Sequence, residues 1–147
     1  MTAAERWIDE QTGSVDHDGD TVHAAVTVDL NVDSIVTVQR IHATGERPQG
    51  LALDADQPLM VGDVTNTRMV LWNHSAPDEV EIVARAGRLT LWNVWEADGA
   101  VHAWVGAAGM LLDEAAGDTT RLRASDGFGD RTIDLEVEIR IRAACVP

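Results

Sequence analysis

The chain has 147 residues, 45% of them hydrophobic, and carries 25 acidic residues against 11 basic ones for a net charge of −14. That is the size of one domain with its own core, and it is too apolar for a disordered chain. So negative a surface repels phosphate backbones and anionic bilayers, which excludes nucleic acid and membrane surfaces as partners.

All the basic residues are arginines, and there is no lysine and no tyrosine. This removes Schiff-base chemistry, a phosphate-binding lysine of the Walker type and a phenol acid. The abundance of Ala, Gly, Arg, Asp and Val points to a high-GC bacterial or salt-adapted source. No apolar run approaches the roughly 18 residues of a membrane span. The first ten residues carry an acidic flank and no apolar segment of the secretory type. The lone cysteine, Cys145, allows no internal disulfide and no cysteine metal cluster, so a reduced, cytoplasmic setting and an inert thiol are expected.

In chain order, residues 1 to 20 are an N-terminal arm and an acidic loop, and a single β domain follows over 21 to 144. Glu5 to Gln11 favours neither helix nor strand, and Gly13 to Gly19 is a loop. Val22, Ala24, Val26, Val28 and Leu30 then alternate with Thr21, His23, Ala25, Thr27 and Asp29, the period of a strand. Asn31 to Ser34 is a turn, Ile35 to Ile41 a β-branched strand, and Gly45 to Gly50 a loop. Leu51 to Met60 is interrupted by Asp54, Asp56 and Pro58, so it reads as short or irregular. Arg68 to Asn73 is a strand and His74 to Asp78 a turn. Val80, Ile82 and Ala84 share one face of the next strand. Ala86-Gly87 reads as the two-residue loop of a hairpin into Arg88 to Trp95. Strands at Val101 to Val105, Met110 to Asp113 and Thr119 to Ser125 follow, with turns at Asp98-Gly99 and Gly117-Asp118.

The clearest signal is the last one. From Thr132 to Arg142, Ile133, Leu135, Val137, Ile139 and Ile141 alternate without a break with Asp134, Glu136, Glu138, Arg140 and Arg142. This is a half-buried antiparallel strand with one wet face. The whole pattern, about eight to ten short strands at a spacing of about ten residues with no sustained helical period, predicts an all-β fold. The expected form is a mostly antiparallel β-sandwich, jelly-roll-like, or a flattened barrel. Its core would include Val22, Val26, Val28, Val80, Ile82, Leu89, Leu91, Leu122, Ile133, Leu135, Val137 and Ile139.

Val-Leu-Trp-Asn at 70 to 73 and Thr-Leu-Trp-Asn at 90 to 93 read as two similar strands of one meander, bracketing the strand at 79 to 85. Trp72, Trp92, Trp95 and Trp104 are thereby brought near one another. Indoles fill cores, and they also stack on sugar rings and other flat ligands. The candidate ligand-binding residues are therefore Trp72, Asn73, His74, Trp92, Trp95, His102 and Trp104. In Leu91 to Trp95 and Ser125 to Val137 the chain resembles small, uncharacterised actinobacterial β-sandwich proteins with a Leu-Trp-Asn-x-Trp strand and an acidic, Gly-rich turn before the final strand. The resemblance implies a β-sandwich and no activity. It departs from that pattern at Asp130 to Ile133, where more Asp is expected.

Two acidic turns are candidates for a hard cation such as Ca²⁺, which takes several oxygen ligands from a sharply turning loop: Asp16, Asp18 and Asp20 in the first, Asp126, Asp130 and Asp134 in the second. Asp and Gly also make ordinary turns. The five histidines, His17, His23, His42, His74 and His102, show no zinc spacing. No catalytic residue is indicated, because there is no nucleophile with a partnered base and no cofactor motif. The expected function is a non-catalytic binding or assembly module. It would use a Trp-rich sheet face or pocket for a sugar-like or other small ligand, or for a protein partner. The alternative is a small cofactor-independent enzyme with a Trp- and His-lined cavity in the β fold. The opposed charges along 134 to 142 would also permit a homodimer, Glu against Arg across a two-fold.

Overall fold

In a computed structural model the chain is all-β. The structure describes residues 4–9, 15–17, 20–22, 25–43, 47–97, 99–103, 109–114, 119–125 and 133–144, with side chains from residue 25 on apart from 109, 113 and 114. Its strands are β1 (Ala4–Asp9), β2 (Val15–His17), β3 (Asp20–Val22), β4 (Val26–Leu30), β5 (Ser34–Ala43), β6 (Gln49–Val61), β7 (Val64–Trp72), β8 (Glu79–Ala84), β9 (Gly87–Ala97), β10 (Ala100–His102), β11 (Gly109–Glu114), β12 (Thr119–Ser125) and β13 (Leu135–Ala143). One antiparallel sheet runs β1-β4-β9-β6-β8-β5-β13-β12-β11, with β7 added to β6 and β10 to β9, while β2 and β3 pair with each other. The sheet curls into a half-barrel, so the flattened-barrel alternative describes the fold.

The alternating C-terminal strand lies inside this sheet. β13 pairs with β5 on one side and β12 on the other. Leu135, Val137, Ile139 and Ile141 are buried, and each such side chain contributes about 1.5–3 kcal/mol over its exposed state. On the wet face Arg140 meets Glu79 at 3.4 Å, Arg142 meets Glu81 at 3.8 Å, and Arg121 meets Glu138 at 2.6 Å. The charges on which a Glu-against-Arg homodimer would draw are thus engaged within one chain. Of the expected core, Val26, Val28, Val80, Ile82, Leu89, Leu91, Leu122, Leu135, Val137 and Ile139 are buried. Ile133 is half-buried against Leu111, and the side chain of Val22 lies outside the described residues.

Four expectations change. Ala4–Asp9, left unassigned from sequence, is the strand β1 beside β4. Val15–His17, read as loop, pairs with Asp20–Val22. Leu51 to Met60 is part of a 13-residue strand, β6. Its register slips between Asp54 and Leu59, and that slip contains Pro58, which has no N–H to give to a ladder. The slip bends the strand: Gln49 to Ala55 pairs with β9, whereas Leu59 and Met60 pair with β8.

The fourth change concerns the hairpin. β8 pairs with β5 and β6, while β9 starts against Leu30 of β4. The residues between them form a crossing, not a hairpin loop. Two carboxylates hold it: the N–H of Ala86 donates to Asp33 Oδ1 and that of Arg88 to Asp56 Oδ1, both at 2.9 Å. In consequence the two Leu-Trp-Asn strands, β7 and β9, flank β6 and not the strand at 79 to 85.

Candidate functional site at one end of the barrel

β7 and β9 finish where β6 begins, β5 and β12 finish where β8 and β13 begin, and the Asn93–Ser125 bond and a recess shared by Val38, Leu51, Leu71 and Val80 bring the two sets of strand ends together. The Leu-Trp-Asn repeat therefore delivers its polar residues to one rim. Asn73 extends the ladder of β7 onto β6: its N–H donates to Gln49 O at 2.8 Å, and its Oδ1 accepts from Gln49 N at 3.1 Å. Gln49 is in turn opposite Trp95 on β9. Asn93 projects to the inner side with Trp95 and donates from Nδ2 to Ser125 O at 3.1 Å, tying β9 to β12. Ser125 Oγ donates to Asp134 Oδ2 at 3.2 Å. Gln49, Asn93, Ser125 and Asp134 are all buried. Buried polar groups need partners, so the bonds from Asn93 to Ser125 and from Ser125 to Asp134 help to specify how β9 meets β12. His102 on β10 stacks on Trp95, with ring centroids 6.1 Å apart and planes at 19°.

The opposite face of β6, β7 and β9 carries the other two candidate indoles. Strand parity puts Gly50 and Ala52 in one row with Trp72 and Val70 on one side and Val94 and Trp92 on the other. Gly50 has no side chain, and the Trp72 ring lies across it: a β-carbon there would sit 2.9 Å from Trp72 Cε3. Trp92 is only 9% exposed, and the Arg68 guanidinium stands 5.9 Å from its ring centroid. Trp72 is half-buried and Val70 beside it is exposed. His74 is exposed in the turn after β7, 5.9 Å from the Trp72 ring.

The structure thus brings Trp72, Asn73, His74, Trp92, Trp95 and His102 to neighbouring strands, but divides them between two faces. Trp104 lies outside the described residues. Of the metal candidates, Asp18, Asp126 and Asp130 lie outside the described residues, as do the side chains of Asp16 and Asp20. Asp134 is buried and occupied with Ser125. Among the described residues no three His, Cys, Asp or Glu side chains converge as a cation site would require.

Sequence reasoning passed over Arg40. It follows Val36 and Val38 in the inward row of β5 and stands opposite Val137 of β13. Its guanidinium pairs with Asp78 and reaches Ala76 O at 3.4 Å, so the turn after β7 is pinned to the barrel end. Val38, Leu51, Leu71, Pro77, Val80 and Val137 surround the adjoining recess, which has room for about one water molecule. Parity alone would have found this residue: position 40 belongs to the apolar row.

No protein-family model, no curated protein and no solved structure matches the chain.

Proposed function

We propose that the chain is a non-catalytic recognition module whose outer aromatic face takes a flat, uncharged ligand such as a sugar ring. The observation that carries this is the placement of Trp72 across Gly50, half-buried, with exposed Val70 at its side. Trp72 packs on the core cluster that contains Trp92, and the part of the indole left accessible beside Val70 is where a flat ligand would stack. Trp92 and Arg68 extend the same row toward β9. The acidic surface favours neutral or cationic partners over anionic ones. The enzyme alternative draws no support from the recess beside Arg40, which is lined by no Trp or His and is far below the several hundred Å³ of a small-molecule cavity.

The test is titration with neutral oligosaccharides, read by tryptophan fluorescence and by thermal shift, with Ca²⁺ and Zn²⁺ in separate arms. A sugar should raise the melting temperature and change the emission of the wild type, and Trp72→Ala should remove both responses. A panel that moves neither signal, or a response that survives Trp72→Ala, sinks the proposal.

A further inference from the structure

We infer that the free edge of β7 is a self-association surface, at which two copies of this chain join their sheets antiparallel about a two-fold axis through Val70. The inference rests on the strand edge and not on the ligand reading above. Among the described residues β7 pairs with β6 alone, which leaves one side of a 9-residue strand with its N–H and C=O groups unused. Natural edges are blunted by shortness, proline, lysine, bulges or a covering element. The other sheet margins show such devices. β1 carries a register shift, β10 is 3 residues long, and β11 lies against β3 and β9. β7 has no proline, and the extra residues of its one register slip belong to β6. Two of the exposed large apolar side chains, Val64 at 61% and Val70 at 36%, stand on it.

Of the axes through Arg68, Met69 and Val70, the one through Val70 makes its sequence most self-complementary. Under a two-fold perpendicular to the sheet, residues pair with partners of the same parity. An axis through Arg68 sets two guanidinium groups opposite each other, which is destabilising. An axis through Met69 sets Asn66 against Trp72 and Thr67 against Leu71. An axis through Val70 sets Val70 against its own copy, Met69 against Leu71 and Arg68 against Trp72. The first two are apolar pairs and the third is a cation–π pair. Arg68 is already held over the outer face by Asp54 at 3.1 Å and faces one indole, Trp92. The joined sheets would run their outer aromatic faces side by side.

Charge gives the surface a distinguishing sign. Two bodies of net charge −14 repel, and the β7 edge gains little from ion pairs across it. Association by this edge therefore strengthens as NaCl rises from about 20 to about 200 mM, because screening weakens the repulsion. A dimer built from Glu–Arg pairs on β13 would weaken.

The experiment is sedimentation velocity on the full chain up to hundreds of micromolar at both salt concentrations, with cross-linking alongside. Val70→Lys, at an exposed position, sets two ammonium groups against each other and should weaken the dimer by at least about tenfold. In a Cys145→Ser background, Val70→Cys places two thiols across the axis and should form a disulfide-linked dimer at least about tenfold faster than Val64→Cys, which has no opposing copy. The inference is overturned by a wild type that stays monomeric at high salt, by a dimer indifferent to Val70→Lys, or by equal cross-linking of the two cysteine variants.

Discussion

Arg40 and Asp78 form an ion pair with unequal ends: the arginine side chain is 17% exposed and the aspartate 85%. The asymmetry follows from strand parity. Arg40 takes the next inward place after Val36 and Val38, so its aliphatic stem lines the recess while its guanidinium emerges under the turn that carries Asp78. The stem is a packing element and the charge is a tether to the turn.

The two contributions separate by mutation. An ion pair whose carboxylate is in solvent is worth about 1 kcal/mol or less, so Asp78→Asn should cost no more than that. Arg40→Ala removes the stem and opens the recess, and should cost about 2–3 kcal/mol. Arg40→Met, which keeps the stem, should fall between. Urea denaturation measures all three. Equal losses for Asp78→Asn and Arg40→Ala would mean that the charge pair, not the stem, holds this corner.

What could be read from the chain was local. The alternation at 132 to 142 located β13 and its buried face, because a period of two is a property of consecutive residues. The same holds for Val80 and Ile82 on β8 and for Leu89 and Leu91 on β9. Pairing is different, since it joins distant residues. Ala86-Gly87 has the composition of a hairpin loop, yet Asp33 and Asp56, far away in sequence, turn it into a crossing. The Leu-Trp-Asn repeat did signal neighbouring strands, but nothing local to it said that the intervening strand would be β6. Half of the candidate site was likewise visible as residue types. Its division between two faces depended on the register of β6.

Gly50→Ala should be destabilising by about 1–3 kcal/mol, as overpacking usually is. The new methyl would meet Trp72 Cε3 at 2.9 Å and Val70 Cγ1 at 3.0 Å, so the indole must lift off the strand. Combined with Trp72→Ala, the glycine substitution should cost less than it does alone, because the contact with the indole is gone and only the one with Val70 Cγ1 at 3.0 Å is left. A double-mutant cycle on melting temperatures reads this coupling directly. Additive losses would show that Trp72 does not rest on Gly50 in solution.

Gly87 opens β9 with φ at +149°, a conformation that side chains rarely adopt, and an added β-carbon would collide with Asp56 Oδ1. That oxygen also accepts from the N–H of Arg88. Gly87→Ala should therefore cost about 2 kcal/mol or more, from backbone strain and from displacing the carboxylate. Asp56→Ala relieves only the collision, so it should recover part of the loss and not all of it. Complete recovery would place the whole effect in the carboxylate and none in the backbone.

Asn93 ties β9 to β12 across the curled sheet, and its chemistry makes a sharper test than its size. Its Nδ2 donates to the Ser125 carbonyl in a site where Asn93 is 2% exposed and Ser125 fully buried. Asn93→Ala removes the donor and leaves a gap, for a loss of about 2–3 kcal/mol. Asn93→Asp keeps the shape but replaces the N–H donor with a carboxylate. Ionised, that group would face a carbonyl oxygen and share the end of the barrel with Asp134; protonated, it can still donate to Ser125 O. The folded state therefore raises the pKa of the new carboxyl above its unfolded value of about 3.9. The folded form then binds more protons than the unfolded form above that pH, so the stability of Asn93→Asp relative to wild type falls as pH rises. Urea unfolding at about pH 4 and about pH 7 should show a small deficit at the lower value and one larger by at least about 1.4 kcal/mol, or one pKa unit, at the higher. A deficit that is the same at both would mean that the substituted side chain reaches water and that β9 and β12 are not closed over it.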